Sequence, residues 1–470
     1  MSHAAESTSS MVGLDAAAPA ASALRSELAG WAWLAVGALA VAGVFALLLA
    51  LSRVPGMDKA PFWPIGFFYK GLVIHVVFSL VIWLMGVFAF LVTVATQQAS
   101  GGRVRAMPLG RIGQGVALVA FPCLFAPAFL DATQPELTNY IPLIRHPAYD
   151  LGLLLLAAGV LAPVIRLFLN LDPRRTVPAL TVAMSVAGFV YLMALASFAV
   201  AGMLARESDL IVSRDMVFWG GGHLMQFVYA IVLLTNWRIL AARSLGETRI
   251  EDAMFRVAVL IVGVLAIAGP FFYAEFDPFS EAQRQAFRLL QFGIALPTLV
   301  FAASLIADAL TLGPPARWPW RDPAFFALAT SLALFALGGV MGLLISGSDT
   351  RTPAHYHAVI TAVSVSSAGM LLTFGLEELG LAPVSTRATR ALIALYGGGQ
   401  FVASIGMFVA GGYGALRKTP DGVGSLDAVA AAGMAVHGIA SIFTIIGGAA
   451  FVVIAISALL RAKPGRTANA

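Results

Sequence analysis

Residues Phe67–Thr96 read FFYKGLVIHVVFSLVIWLMGVFAFLVTVAT, with Lys70 the only residue carrying a fixed charge. A membrane-crossing helix needs about 20 apolar residues in succession, whereas a membrane β-strand needs about 10 that alternate in polarity. This run is too long and too evenly apolar for a strand, so it reads as a transmembrane helix. Eleven further runs meet the same test: Trp31–Val54, Gly110–Leu130, Leu151–Leu169, Val177–Leu204, Met216–Leu240, Ala253–Ala274, Ala286–Leu312, Pro323–Ile345, Pro353–Leu376, Ala388–Gly412 and Ala428–Leu460. Turn-forming stretches such as Asp172-Pro173, Gly313-Pro314-Pro315 and Thr419-Pro420-Asp421-Gly422 separate them. The fold class expected is an all-α integral membrane protein, a bundle of about twelve transmembrane helices. Residues 1–30 are polar and Ala/Ser-rich and lack the pattern of a signal peptide. They are expected to form a disordered cytoplasmic tail, with 31–461 a single membrane domain and 462–470 a second short tail.

Composition agrees with this reading. Of the 470 residues 59% are hydrophobic and 11% charged, with mean hydropathy +0.88. A soluble domain carries about 25% charged residues, so this chain cannot cover itself with a polar surface. A soluble enzyme, a disordered protein and a secreted disulfide scaffold are thereby excluded. The single cysteine, Cys123, allows no internal disulfide and no C-x-x-C motif, so any haem must be held non-covalently. The net charge of +5 lies in the loops and reads as membrane orientation, not nucleic-acid binding. The side holding both termini carries about 18 Lys and Arg against about 11 opposite, which places both termini in the cytoplasm. Arginine far outnumbers lysine beside heavy Ala and Gly use, as in GC-rich bacterial genomes. The expected address is the bacterial inner membrane.

Histidines carry the chemistry. Of His3, His75, His146, His223, His355, His357 and His437, five fall inside apolar runs, where ionisable groups are costly and point to function. In this topology His75, His223, His355, His357 and His437 all lie within about three helical turns of the extracytoplasmic starts of segments 2, 6, 10 and 12. A shared layer suits a cofactor's ligand set better than scattered packing. In His355-Tyr356-His357 the two imidazoles project about 200° apart on one helix. They cannot chelate one metal. Either each serves a separate cofactor, or one is a ligand and the other a hydrogen-bonded bystander. Gly220-Gly221-Gly222 and Gly397-Gly398-Gly399 sit within membrane runs, so they allow close helix or haem approach instead of cradling phosphate.

At this point the sequence resembles subunit I of the haem-copper oxidases, a superfamily of cytochrome c oxidases, quinol oxidases and nitric oxide reductases. Asp349-Thr350 followed by Ala354-His355-Tyr356-His357 is similar to the family's tenth-helix signature, with a gap one residue shorter. His75 in segment 2 with Met85 ten residues on, Trp219-Gly220-Gly221-Gly222-His223 in segment 6, and Arg417-Lys418-Thr419-Pro420-Asp421 after segment 11 match in order. The resemblance implies two haems, b the expected type. His75 and His357 would hold a low-spin haem on both axial sides. His355 would hold a high-spin haem with one face open to O2 or NO. Arg417 and Lys418 would pair with haem propionates; without the resemblance they read as a solvated loop pair.

One departure matters. The family's copper, or non-haem iron, would use His223 and an adjacent histidine pair in segment 7. That segment reads Ala268-Gly269-Pro270-Phe271-Phe272-Tyr273-Ala274-Glu275, with phenylalanine where the pair should be. Phe227 stands where one large class of the family places a tyrosine. The second-metal site is therefore expected to be degenerate and copper absent, because one histidine and one carboxylate make a poor copper site. His223 and Glu275 are the residual candidates, and His223 and Tyr273 the catalytic ones. Glu275 otherwise reads as a solvated helix end. His223 is alternatively a hydrogen-bond partner of a haem ligand, or a relic. Gln226, Tyr229, Asp308, Glu377 and Glu378 are the other polar groups in or near the segments, the acidic three reading as solvated helix termini. His437 reads as a hydrogen bond within the bundle.

The leading expectation is a divergent respiratory subunit that reduces O2 or NO. It would work with other respiratory-complex subunits and an electron donor, either a cytochrome, a cupredoxin-type subunit or quinol. A non-catalytic haem-bearing electron-transfer or gas-binding subunit is the alternative. A twelve-helix secondary transporter explains the segment number but not the histidines, and no paired broken helices mark a transport site.

Overall fold

The computed structural model describes residues 19–51, 67–172, 174–208, 211–246, 249–345, 349–417 and 426–461. Among the described residues twelve helices are long and apolar enough to cross a membrane: α1 Ser22–Leu51, α2 Phe68–Ser100, α3 Met107–Phe129, α4 Pro147–Asn170, α5 Ala179–Glu207, α6 Arg214–Leu245, α7 Glu251–Glu275, α8 Glu281–Thr311, α9 Pro323–Leu343, α10 Arg351–Glu378, α11 Thr386–Gly412 and α12 Ala428–Leu460. Each corresponds to one of the apolar runs. The fold is the all-α membrane bundle that the hydropathy pattern requires. Neighbours in sequence pack in pairs, notably α3 with α4, α5 with α6, α9 with α10 and α11 with α12. α1 packs against both α2 and α12, so the bundle closes on itself.

Enclosure sorts the helices by role. In α2, α6 and α10 the most apolar windows are 78, 72 and 78% buried, against 22% in α8 and α12. The three inner helices are those that carry His75, His223 and the His355/His357 pair. Mean hydropathy does not separate inner from outer helices, since lipid and a protein interior are both apolar.

The helix that contains α1 extends back to Pro19, three residues before its membrane-crossing stretch and well before the expected start near Trp31. Residues 19–30, assigned from sequence to the tail, are helical, and Leu24, Leu28 and Glu27 are fully enclosed. Residues 1–18 and 462–470 lie outside the described residues. Glu27 is accommodated by a bidentate ion pair with Arg166 of α4, both contacts at 2.6 Å. Thr93 of α2 donates to Glu27 at 3.1 Å. Both charged side chains are completely buried. Gly110 lets α3 approach this pair, since a Cβ there would meet Arg166 Nη1 at 2.0 Å.

Three helices contain π-helical turns: Val77–Ile82 in α2, Leu371–Gly375 in α10 and Ala394–Gly398 in α11. Such turns are uncommon and gather at functional positions; the first starts two residues after His75. Between α3 and α4 a short hairpin pairs Pro135–Glu136 with Leu143–Ile144. Nothing in the hydropathy pattern announces it.

Candidate functional site

A chamber of about 2610 Å³, partly open to the surface, lies between the inner helices and α1, α4, α5 and α12, and its wall includes His75, His355, His357 and His437. Four of the five histidines expected to share a layer therefore meet one space. The chamber touches both His355 and His357, so it reaches both sides of α10, as their angular separation demands.

Ring hydrogen bonds to main-chain carbonyls fix how three of these imidazoles are presented, His75, His355 and, at the longer distance of 3.2 Å, His437. His75 Nδ1 lies 2.9 Å from the Ala42 carbonyl of α1. His355 Nδ1 lies 2.7 Å from the Gly338 carbonyl of α9. A carbonyl can only accept, so Nδ1 carries the proton and Nε2 keeps its lone pair. That is the arrangement of metal-ligating histidines, whose second nitrogen is tied to a carbonyl or carboxylate. Gly342 of α9 makes the room: a Cβ there would sit 2.8 Å from both Cε1 and Nδ1 of His355. Gly339, also on the wall, has nothing within 4 Å of its Cβ position. The donor set and the space fit haem.

His223 is placed differently. Its side chain is fully buried and it is not part of the chamber wall, although Trp219, Gly222 and Gln226 on the same helix are. Nδ1 donates to the Trp219 carbonyl at 2.7 Å. Nε2 then accepts from the Tyr140 hydroxyl at 2.8 Å. Tyr140 comes from the hairpin and its ring faces the chamber. Burial, then the nearby Asp215 carboxylate, raises its phenol above the ordinary range, so it remains a donor. The rings of Trp219, Tyr140 and Phe287 surround the imidazole at 4.9, 4.7 and 5.7 Å between centroids.

The glycine triplet serves this aromatic cluster. A Cβ on Gly222 would strike the Tyr140 ring at 2.5 Å, one on Gly221 the Phe198 ring at 2.5 Å, and one on Gly220 the Tyr273 hydroxyl at 2.3 Å. The close approach expected from sequence is thus made by aromatic side chains.

The residues expected to complete a second metal site do not converge on His223. Glu275 is exposed at the end of α7. Tyr273 packs against Phe287 at 5.7 Å and is not on the chamber wall. Phe271 is 66% exposed and faces outward, while Phe272 packs on Phe287. Among the described residues no group of three or more His, Cys, Asp or Glu side chains is placed to hold a metal ion. The residual pairing of His223 with Glu275 is therefore corrected: both ring nitrogens of His223 are already engaged by protein groups. These residues do not fit a second metal.

Arg417 lies on the chamber wall; Lys418 lies outside the described residues. The Asp349-Thr350 pair has a structural task at this end. Thr350 N donates to Ala415 O at 2.9 Å and its hydroxyl to Met407 O at 2.9 Å, tying the start of α10 to the end of α11. The Arg351 side chain, hydrogen-bonded to Asp349, holds that carboxyl below its usual range. Arg288 of α8 also lines the chamber, a cation that sequence reasoning missed because it lies in an ordinary amphipathic turn. His437 Nδ1 donates to Ala403 O at 3.2 Å, as expected of a bundle hydrogen bond. Glu377 pairs with Arg243 at 2.6 Å. Glu378, expected to be solvated, is only 6% exposed.

Fold and chamber together define a multi-pass helical membrane protein with a histidine-lined interior. Residues 29–446 match the family model described as cytochrome C and quinol oxidase polypeptide I. The chain belongs to this family, as a divergent haem-copper oxidase subunit I-like protein. Its sequence is 22% identical over 388 residues to cytochrome c oxidase subunit 1 of Thermus thermophilus, covering 73% of this chain and 67% of that one. It is 28% identical to an uncharacterised protein of Aquifex aeolicus, covering 74% and 84%, and 23% identical to one of Rickettsia prowazekii, covering 90% and 94%. A heme-copper terminal oxidase dimer solved by cryo-EM has the same fold, with TM-score 0.77, 17% identity and 95% and 85% coverage. The chain is thus a respiratory oxidase-like, oxidoreductase-type membrane subunit of a family that implies haem.

Proposed function

We propose that this subunit holds a low-spin haem between His75 and His357 and a high-spin haem on His355, for delivering electrons to O2 or NO. The observation that carries this is the Nδ1-to-carbonyl anchoring of His75 and His355 on the wall of one chamber. Iron with two histidines exchanges electrons without binding gas, whereas iron with one keeps a face for O2, NO or CO. Ala42 and Gly338 set the tautomer and the aim of the two rings. Arg417 supplies positive charge at the chamber wall for propionates, with Lys418 assigned beside it. Haem b is the assigned type, and both termini are assigned to the cytoplasmic side of a bacterial inner membrane. A cytochrome, cupredoxin-type subunit or quinol supplies the electrons.

A second reading is favoured by the His223–Tyr140 hydrogen bond. With its metal-facing histidine occupied by a phenol, the chain is a gas-binding or electron-transfer subunit without turnover. Consumption of O2 or NO by the purified, haem-loaded protein with a reduced artificial donor decides between them. Sustained consumption supports the enzyme; haem that reduces and binds gas with no consumption supports the carrier.

Gly342 offers a sharper local test. Gly342→Ala puts a methyl 2.8 Å from the His355 ring, closer than side-chain contacts tolerate. The variant is expected to lose most CO binding while the low-spin spectrum persists. CO binding equal to the parent protein's would contradict the placement of His355 as a haem ligand.

A further inference from the structure

We propose that Asn236, Ser366 and Ser367 hold a buried water under the floor of the chamber, and that this water is a proton station for the chemistry above it. Asn236 of α6 is completely enclosed. Its Nδ2 donates to Ser366 Oγ at 3.3 Å and to Ser367 Oγ at 2.9 Å, both on α10. Its Oδ1 is buried and has no partner among the described residues. Reversing the amide would exchange an unpaired oxygen for an unpaired NH2, so an unsatisfied polar group remains in either orientation. Buried amide oxygens are rarely left bare, and ordered water is the usual partner where a second polar group stands near.

The second group is Ser367. Ser366 spends its hydroxyl hydrogen on the Val363 carbonyl at 2.8 Å. Ser367 accepts from Asn236, and its own hydrogen has no acceptor among the described residues. An unfilled acceptor and an unspent donor thus stand at the same α6–α10 contact, the two polar partners that a bridging water needs. The adjacent Trp237–Ser331 pair is different. Trp237 Nε1 donates to Ser331 Oγ at 2.7 Å, and Ser331 donates on to the Ala362 carbonyl at 2.7 Å. That chain is closed and offers nothing to a solvent molecule.

Position gives the water its task. Leu233, Val363 and Ser364 line the chamber and lie three or four residues before Asn236 and Ser367. The water site is therefore about one helical turn, ~5.4 Å, below the chamber floor. Thr361, Ser364 and Ser367 follow one another at three-residue spacing along α10, with Thr361 four residues on from His357. Thr361 and Ser364 both reach the chamber wall, as does Tyr396 of α11. Hydroxyls and one water thus form a polar ladder along α10. A reaction that reduces O2 or NO consumes protons, and this ladder is a route on which they can hop. The station's task rests on the proposed function; the water site does not.

A cryo-EM map of the detergent-solubilised protein, fine enough to show ordered solvent, is expected to show density within hydrogen-bonding distance of Asn236 Oδ1 and Ser367 Oγ. A map that resolves other buried waters but none here would overturn the site. For the task, Asn236→Leu and, in case it folds poorly, Ser367→Ala are each loaded with haem and compared with the parent protein. Haem content and the CO spectrum should be unchanged. Proton uptake during reoxidation by O2 or NO, followed with a pH dye, should slow at least tenfold, with an enlarged solvent deuterium effect. Uptake at the parent rate in both variants would overturn the relay. A chain that binds no haem would defeat the functional reading instead, and the water density would still decide the site.

Discussion

Arg166→Leu is expected to be the most damaging single substitution outside the chamber, with a loss of about 3–5 kcal/mol, because it strands the buried Glu27 carboxylate. Glu27 and Arg166 have no exposed side-chain surface and form both hydrogen bonds at 2.6 Å. The pair holds α1 against α4, with Thr93 of α2 as a third contact. Removing both charges together is a different experiment. Glu27→Leu with Arg166→Leu leaves no unpaired charge, and well-packed apolar replacements of buried pairs are often neutral. The double variant is therefore expected to recover most of the loss. Unfolding in mixed detergent–denaturant micelles, run on both single variants and the double, measures the coupling directly. A double variant no more stable than Arg166→Leu would show that the pair matters through packing and not through charge.

The second large effect concerns the histidines. His355→Ala should abolish CO binding and remove about half of the haem, leaving the low-spin bands intact, since a single protein ligand holds that iron. His75→Ala and His357→Ala should do the converse: the bis-histidine spectrum is lost and CO binding at the remaining haem survives. His223→Ala should leave both haem signals in place, because its two ring nitrogens bond Trp219 and Tyr140 and its side chain is off the chamber wall. The pattern across four variants matters more than any one of them. If His223→Ala abolished CO binding while His355→Ala did not, the axial assignment would be wrong.

Hydropathy made the fold legible because a spanning helix is a property of its own segment. All twelve segments could be found one at a time, and the histidine levels followed from counting turns. Family resemblance then supplied roles for His75, His355 and His357 that spacing alone left open. What the sequence hid is contact between distant segments. Glu27 looked like part of a tail because its partner is 139 positions away. Nothing local shows that a hairpin will carry Tyr140 to His223. Asn236 sat unremarked in an apolar run, and only the packing of α6 on α10 reveals its bare oxygen. In segment 7 the absence of histidine is plain in the sequence itself, and the structure adds that Phe271 turns outward and Glu275 stands in the open.

The copper question follows from the same observations. A copper ion needs several well-placed ligands, and nitrogen or sulfur donors above all. Here the nearest candidate is hydrogen-bonded at both nitrogens.

The most direct test of the whole account is a pair of spectra with metal counts on one sample. Reduced-minus-oxidised and reduced-plus-CO spectra of the purified protein, with iron and copper measured alongside, are expected to give two irons per chain, no copper, and CO on half of the haem. Copper at one per chain, or CO bound to all of the haem, would contradict it.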